Sequence, residues 1–141
     1  MTVPQEYVQA SRDFERFLLA ARDALGHATT HRTYATIYSV LLVFRRHVSV
    51  RDGLRFATVL PPVLRAIFVS DWDPAEPVRD FADRETLTAE MLSVRGNHNV
   101  SPADAIAVVA RVLRDHVDQE AYDRVLATLP EPARDYWRDA M

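Results

Sequence analysis

The chain has 141 residues, a formal net charge of −3 and no cysteine, and these properties exclude several classes of protein. A chain of this length buries about 68–70% of its unfolded surface, so it folds without disulfides or a structural metal. The missing thiols exclude a disulfide scaffold, a cysteine nucleophile and a cysteine-based zinc site. The net negative charge gives no electrostatic footprint for nucleic acid, although all 17 basic residues are arginine.

The N-terminal segment has no basic stretch followed by an uninterrupted apolar run, so no signal peptide is expected. The longest apolar stretches, such as "YSVLLVF", are too short to cross a bilayer. Together with the absence of cysteine, these features predict a cytoplasmic protein without membrane contact.

Apolar residues at helical spacing predict four helices in the first half of the chain, and Gly26 ends the first of them. Ser49 precedes Asp52 by three residues, which is the pattern of an N-cap with an acid in the first turn. Pro61 and Pro62 break the helix that follows. In chain order the four helices span about residues 5–25, about residues 33–47, the segment from Ser49 to Pro61, and a short stretch with Leu64, Ile67 and Phe68.

The acidic, proline-containing segment "SDWDPAEPVRD" is predicted to connect the first half to four more helices. In "NVSPADAI", Ser101 is expected to cap a helix that has Pro102 at its first position. Asp118 is expected to cap the next helix, which ends before Pro130. The predicted helices run over about residues 80–94, from Ser101 to about His116, from Asp118 to Pro130, and through Ala133, Tyr136 and Trp137. The predicted fold class is all-α.

The sequence repeats itself, because residues 34–72 align with residues 103–141 without a gap. Such self-similarity is typical of duplicated helical units that cover each other's apolar faces. We therefore expect one all-α domain over residues 1–141, made of two tandem repeats at about 1–69 and 70–141. Each repeat would hold about four helices, and the two would pack about a pseudo-two-fold axis. The identical pairs are Ile37/Ile106, Val40/Val109, Arg45/Arg114, His47/His116, Val48/Val117, Arg55/Arg124, Leu60/Leu129, Pro61/Pro130 and Arg65/Arg134.

The stretches "VLRDHVDQEAYDRVLATLP" and "LP…LRAIFVSDW" resemble the bacterial and archaeal domain of unknown function 2267 family. The resemblance covers nearly the whole chain and implies a phenylalanine-rich first helix followed by two helix–turn–LP modules with an acidic linker between them. The turns depart from the family pattern, which usually has a Gly-Glu pair where this chain reads "DQEA" and "SVRDG". His47 and His116 stand where arginine or another polar residue is common. The resemblance implies no established activity.

His47 and His116 are the most notable candidates for a site, because each continues the apolar stripe of its helix into the last turn. One interpretation is a symmetric pair of imidazoles that binds a small molecule or a metal, or that senses pH. The other is that each ring satisfies open carbonyl groups at the end of its own helix. We favour the second, because no carboxylate recurs at a matching ligand spacing.

The arginines that recur in both halves also allow two interpretations. They could line a cationic groove for an anionic partner, or they could pair with nearby acids such as Asp52, Asp115, Asp123 and Asp135. We favour the pairing, which contributes little per exposed pair. The recurring arginines are Arg45, Arg114, Arg55, Arg124, Arg65 and Arg134.

Three weaker patterns are more consistent with ordinary structure. His27 and His31 have the spacing of metal ligands on a helix but lie in a predicted connector, so we expect solvated side chains. The acids of "DWDPAE" lack the glycine and the distal glutamate of a calcium loop. The aromatic residues Tyr34, Tyr38, Trp72 and Trp137 are expected in the core rather than in a pocket.

The chain has no glycine-rich phosphate loop, no GxSxG elbow and no HExxH motif. We therefore predict a non-enzymatic, cytoplasmic helical module that acts in interaction or regulation, through a protein partner or self-association. It would use no cofactor and bind neither nucleic acid nor a membrane. The alternative is a helical domain that binds a small molecule or a metal at a site between its two halves.

Overall fold

Nine α-helices and no β-strand form the part of the chain that is described by a computed structural model, residues 2–96 and 101–138. The all-α prediction is thereby confirmed. None of these helices combines the length and the apolar character that crossing a bilayer requires. The helices are α1 (Gln5–Val8), α2 (Ala10–Leu25), α3 (Thr30–Arg46), α4 (Val50–Ala57), α5 (Pro62–Val69), α6 (Arg84–Ser93), α7 (Ala105–Arg114), α8 (Gln119–Ala127) and α9 (Glu131–Tyr136).

Side-chain caps fix several of the helix ends where the sequence predicts them. The Ser49 side chain accepts a hydrogen bond from the Asp52 amide, and α4 begins at the next residue. Asp118 caps α8 in the same way through the Ala121 amide. Gly26 ends α2 with φ +72°, a left-handed conformation that glycine adopts without the steric penalty of a Cβ.

The first two predicted helices have different boundaries in the structure. The helix expected over residues 5–25 is divided at Gln9 into α1 and α2, and α1 has no buried residue. The second helix, predicted from about residue 33, begins at Thr30. The reason is that the Thr29 side chain accepts a hydrogen bond from the Arg32 amide and caps α3 at an earlier position.

In the second half the starts of α6 and α7 both fall later than predicted. α6 begins at Arg84 rather than near residue 80, because Asp83 accepts a hydrogen bond from the Thr86 amide and caps the helix there. The prediction that Ser101 caps the next helix is wrong, since α7 begins at Ala105. The Ser101 hydroxyl instead makes a 2.7 Å hydrogen bond with the Thr36 hydroxyl. Residues 99–100 of that start motif lie outside the described residues, as do residues 139–141 of the repeat.

α3 is the central helix, because it packs against α2, α5, α6 and α7. α2 also packs against α5 and α7, α4 packs against α5 and α8, and α8 packs against α9. Helices from before the linker therefore contact helices from after it. Their buried apolar side chains form one continuous cluster that extends from Phe17 to Trp137.

Phe44 lies at the centre of this core and is fully buried. Its ring is surrounded by aromatic rings from α4, α5, the linker and the C-terminal end of the described chain. The distances between ring centroids are 4.7 Å to Phe56, 5.2 Å to Trp137, 5.3 Å to Tyr136, 6.3 Å to Phe68 and 6.3 Å to Phe81.

Tyr136 ties this aromatic cluster to the backbone of α3. Its hydroxyl donates a 2.6 Å hydrogen bond to the Val40 carbonyl, and the Arg84 guanidinium lies 5.6 Å from the centre of its ring. Burial raises the pKa of the Tyr136 hydroxyl, so the group remains a neutral donor. The end of the described chain, at Tyr136 and Trp137, is thus held against the central helix by both packing and a buried hydrogen bond.

Gly53 on α4 gives a test of this packing, because a Cβ at that position would overlap the indole ring of Trp72. Alanine usually stabilises a helix by about 1 kcal/mol relative to glycine. The effects of packing and of helix propensity on the stability of a Gly53→Ala variant therefore have opposite signs. We expect packing to dominate and Gly53→Ala to lower the free energy of unfolding by about 1–3 kcal/mol in urea denaturation. The exposed Arg51→Ala on the same helix should change it by less than about 0.5 kcal/mol. Stabilisation by Gly53→Ala would contradict the close contact.

Candidate functional site

His47 follows the last residue of α3 and holds the linker and α6 against that helix. Its Nδ1 lies 2.9 Å from the Asp80 carbonyl oxygen, and its Nε2 lies 3.2 Å from both carboxylate oxygens of Glu90. The ring also packs against Phe81, with 5.1 Å between centroids. Because the carbonyl can only accept, Nδ1 is the donor in that contact. The contact between Nε2 and Glu90 then requires one proton shared between the imidazole and the carboxylate.

Arg79 completes this arrangement, which we call the linker clasp (His47, Arg79, Asp80, Phe81 and Glu90). Its guanidinium donates a 3.1 Å hydrogen bond to Glu90, and its amide donates a 3.0 Å hydrogen bond to the Arg46 carbonyl. That carbonyl belongs to the open C-terminal end of α3. The clasp therefore satisfies the helix end and fixes the linker at the same time.

His116 follows the end of α7 and has different surroundings. Its Nδ1 lies 2.8 Å from the Val112 carbonyl oxygen, one turn back in the same helix, and its ring packs edge-on against Phe17 at 5.4 Å. The Nδ1 proton is therefore used on the backbone, and Nε2 has no hydrogen-bond partner within residues 2–96 and 101–138. No hydrogen bond or ring contact joins His116 to His47 in that part of the chain.

A cavity of about 350 Å³ lies beside His116, between residues of both halves of the chain. α2 contributes both acidic and aromatic side chains to its wall, and the turn before α5 contributes Pro61. A second, adjoining space of about 270 Å³ shares Asp13, Pro61 and His116 with it. The residues that line the larger cavity are Asp13, Phe14, Arg16, Phe17, Pro61, Leu64, Asp115 and His116.

The recurring arginine Arg45 is buried and serves as a cap for α5. Its guanidinium donates hydrogen bonds of 3.0 Å and 2.8 Å to the carbonyl oxygens of Phe68 and Ser70, and it lies 5.5 Å from the centre of the Trp72 ring. Burial lowers the pKa of this guanidinium, but arginine keeps its charge. Its repeat partner Arg114 has no such role.

Arg114 instead forms a two-pronged pair with Asp123, in which both N–H···O distances are 2.8 Å. These hydrogen bonds lower the pKa of the Asp123 carboxyl and raise that of the arginine. Arg114 also lies 5.9 Å from the ring of Tyr122, whose hydroxyl pKa is raised by burial. The pairing expected from the sequence is present here.

Arg65 and Arg134 do the same thing in the two halves. Each donates a hydrogen bond to the carbonyl oxygen five residues earlier, which belongs to Leu60 for Arg65 and to Leu129 for Arg134. Arg65 also donates to the Ala57 carbonyl at 3.0 Å. These contacts close the turn between α4 and α5 and the turn between α8 and α9.

The remaining recurring arginines form surface pairs within their own helices. Arg55 lies 3.8 Å from Asp52, and Arg124 lies 3.2 Å from Glu120. Exposed pairs of this kind contribute about 0.2–1 kcal/mol. Both arginines therefore match the local pairing that the sequence predicts.

A cavity of about 490 Å³ lies next to Arg65, between α1, α4 and α5. Tyr7 and Leu54 line it, and both are among the large apolar residues that stay exposed to solvent. Another cavity, of about 480 Å³, lies next to Arg134. The sequence gives no sign of either cavity, because each depends on how a short helix meets its neighbours.

The weaker candidates, namely His27, His31 and the acids of the linker, make local contacts or are exposed to solvent. His27 makes a 2.9 Å hydrogen bond to the Thr36 hydroxyl, and burial together with Arg32 lowers its pKa, whereas His31 is exposed in the first turn of α3. Asp73 accepts a hydrogen bond from the Ala75 amide in a local turn. Nowhere in residues 2–96 and 101–138 are three His, Asp or Glu side chains grouped so that they could hold a metal ion.

The aromatic candidates also differ in their placement. Trp137 is buried in the core, where it stacks on Phe56 with 5.0 Å between centroids. Trp72 is half-buried against Phe68. Tyr34 and Tyr38 stack on each other at 6.4 Å, and Tyr34 is exposed.

The partners of His47 were missed by reasoning from sequence. Glu90 lies 43 residues further along the chain and Asp80 lies 33 residues further, so no local spacing connects them with the histidine. The only feature of the sequence that pointed to these partners was the acidic linker, which lies directly before a helix. Its carboxylates and carbonyls can be assigned to the end of α3 only after the fold is known.

The described residues define an all-helical protein whose two sets of helices share one core and whose linker and α6 are held to α3 by the linker clasp. A family model described as "Uncharacterized conserved protein (DUF2267)" matches residues 14–136. The chain belongs to this family, which confirms the resemblance seen in its LP-containing motifs. No curated protein matches the chain.

The linker clasp can be tested with a double-mutant cycle. Because His47 and Glu90 are largely shielded from solvent, we expect the variants His47→Ala, Glu90→Ala and their combination to give a coupling energy of about 1–3 kcal/mol in urea unfolding. The same cycle on the exposed pair of Arg124 and Glu120 should give about 0.5 kcal/mol or less. Equal coupling in the two cycles would show that the clasp is only another surface pair.

Proposed function

We propose that the chain is a non-enzymatic helical module that binds a protein partner through the face formed by α1, α4 and α5. The observation that carries this proposal is the cavity of about 490 Å³ that lies open between exposed apolar side chains. Tyr7 and Leu54 line it with half or more of their surface accessible, and Val3 and Val8 are exposed on the same N-terminal segment. Exposed apolar side chains grouped around an open cavity are typical of interaction sites.

The polar groups singled out by the sequence support a binding role over a chemical one. Arg45 and Arg65 use their guanidinium groups to hold backbone carbonyls, and His47 uses both ring nitrogens in the linker clasp. Side chains occupied in this way stabilise a scaffold. We therefore infer that the recognition surface, and not a reactive group, is the functional part of the molecule.

We also propose that the scaffold is one domain made of two tandem repeats, about 1–69 and 70–141, related by a pseudo-two-fold axis. Matched positions with the same role support this arrangement. Ser49 and Asp118 both cap the helix that follows them, and Arg65 and Arg134 both hold the carbonyl five residues earlier. Duplication would explain why neither half covers its own apolar face.

A charge placed in the apolar face should abolish partner binding without unfolding the protein. Leu54→Arg introduces a cation beside the cavity, whereas Val78→Arg introduces it in the linker at a residue of matched exposure, 54% against 53%. In affinity capture from the native host, we expect Leu54→Arg to reduce recovery of the partner by about tenfold or more, with no loss from Val78→Arg. Both variants should keep the wild-type circular dichroism spectrum.

Two outcomes would contradict this proposal. Equal recovery of the partner with both variants would exclude the α1 face as the contact surface. If no protein is recovered above background and the wild-type chain sediments as a monomer, the interaction role loses its support. Concentration-dependent self-association that Leu54→Arg removes would identify the partner as a second copy of the chain.

A second candidate function is favoured by the cavity beside His116. This cavity lies between residues of both halves, and the Nε2 atom of His116 is left without a partner among the described residues. A small molecule with a hydrogen-bond donor or a cationic group would match that atom and the Asp13 and Asp115 carboxylates. Its position between residues of both halves supports the alternative interpretation of the sequence for His116, whereas His47 does not line it.

Native mass spectrometry of gently purified protein tests this second function. A bound molecule would add a discrete mass to the wild-type chain. His116→Ala should remove that mass, and His47→Ala should retain it, because His47 does not line the cavity. A bare chain mass for the wild type would exclude a resident ligand.

A further inference from the structure

The cavities beside Arg65 and Arg134 occupy matching positions in the two halves. Their volumes are about 490 Å³ and 480 Å³. Shifting the first cavity by 69 residues, the register of the sequence repeat, brings most of its lining onto the second. The matched lining residues are Leu54/Asp123, Ala57/Leu126, Thr58/Ala127, Arg65/Arg134 and Val69/Arg138.

In the first cavity, α1 brings an acid and a tyrosine to the arginine. Arg65 donates a 3.4 Å hydrogen bond to the Tyr7 hydroxyl, and its guanidinium lies 3.7 Å from the Glu6 carboxylate. The same guanidinium is oriented by its hydrogen bonds to the Ala57 and Leu60 carbonyls. The chain itself thus shows which kind of segment packs beside this arginine, namely a short helix that presents Glu and Tyr side by side.

Among the described residues, the second cavity has no counterpart of α1 in its lining, which comes from residues 114–138. Arg134 is oriented in the same way, by the Leu129 carbonyl. Three differences alter the charge of the wall: Asp123 and Arg138 replace apolar residues, and Arg114 joins the lining. Asp123 is the one acid among the described lining residues, and it is already paired with Arg114.

We propose that the cavity beside Arg134 binds an acidic helical segment of a partner protein that carries an aromatic residue next to a carboxylate. The partner's carboxylate would take the position relative to Arg134 and Arg138 that Glu6 takes relative to Arg65. Its aromatic ring would lie on the apolar part of the wall, which Leu126 and Trp137 provide. Charge-assisted hydrogen bonds to arginine would supply the specificity. This inference rests on the proposed interaction role and adds a second surface to it.

Arg138 is available for such a contact because most of its own side chain is exposed. Its guanidinium lies 2.7 Å from the Asp135 carboxylate, and 68% of its side chain is accessible. An arginine in an exposed ion pair can exchange its carboxylate partner for another at low free-energy cost. Arg124 gives a matched control, since its side chain is 69% accessible and paired within its own helix, yet it does not line the cavity.

The experiment is a titration of the full ¹⁵N-labelled chain with a defined peptide, followed by NMR. The probe has the sequence of residues 2–10 with Gln5→Glu and Gln9→Glu, which keeps the Glu-Tyr pair and adds negative charge. The chain has two tryptophans, Trp72 and Trp137, and only the second lines the cavity. We expect a saturable shift of the Trp137 indole N–H signal and none of the Trp72 signal.

Variants then assign the binding to this cavity. Arg138→Gln should weaken peptide binding about tenfold, and Arg124→Gln should leave it unchanged. Arg65→Gln should also leave it unchanged, whereas a peptide that displaced α1 from its contacts with Arg65 would lose affinity with that variant. Replacing the tyrosine of the peptide by alanine should weaken binding, because the apolar wall then has no aromatic partner.

Several outcomes would overturn the proposal. They are the absence of a saturable Trp137 shift, equal weakening by Arg124→Gln and Arg138→Gln, and a shift produced as well by inorganic phosphate or by a single-stranded oligonucleotide. The two proposals can fail separately. If a captured partner is lost with Leu54→Arg but still binds the Arg138→Gln variant and the peptide does not bind, the interaction role stands and the acidic-segment site is excluded.

Discussion

The packing of aromatic rings around Phe44 is the constraint on which the rest of the structure depends. The ring is fully buried and contacts rings from α4, α5, the linker and the end of α9. Offset and edge-on aromatic pairs contribute beyond the area they bury. Because one contact is Phe81, this packing also positions the linker, and Phe81 in turn packs against the His47 ring of the linker clasp.

The polar interactions of the protein follow from that packing. Once Phe81 is seated, the Asp80 carbonyl and the Glu90 carboxylate face the two nitrogens of His47, and all three groups would be costly to bury without partners. Arginine serves the same need at Arg45 and Arg65, where one planar guanidinium reaches two backbone carbonyls. A lysine ammonium has no such fixed fork of donors, so it would satisfy these carbonyls less well.

The sequence predicts the local features of this fold better than it predicts the site. Ser49, Asp118 and Gly26 act where expected, because a cap or a left-handed turn depends on only a few neighbouring residues. Ser101 has the same local pattern and fails, since its hydroxyl bonds to Thr36, which is 65 residues away. The repeat likewise predicts equal roles for His47 and His116, although only His47 is followed by a linker that folds back onto its helix. The sequence pattern therefore does not predict the tertiary contacts that differ between the halves.

The two arginine-lined cavities show how equivalent positions of the sequence repeat carry two different surfaces. The arginine–carbonyl hydrogen bond is present in both, while the residues that line the cavity around each arginine differ. The position of Val69 in the first cavity is taken by Arg138 in the second, so an apolar edge becomes a cationic one. The position of Leu54 is taken by Asp123, which binds Arg114 at the wall of the second cavity. Leu54, Asp123 and Arg138 are exposed, and substitutions at exposed positions have little effect on stability. The proposed binding specificities can therefore differ between the halves while the aromatic core that joins them stays the same.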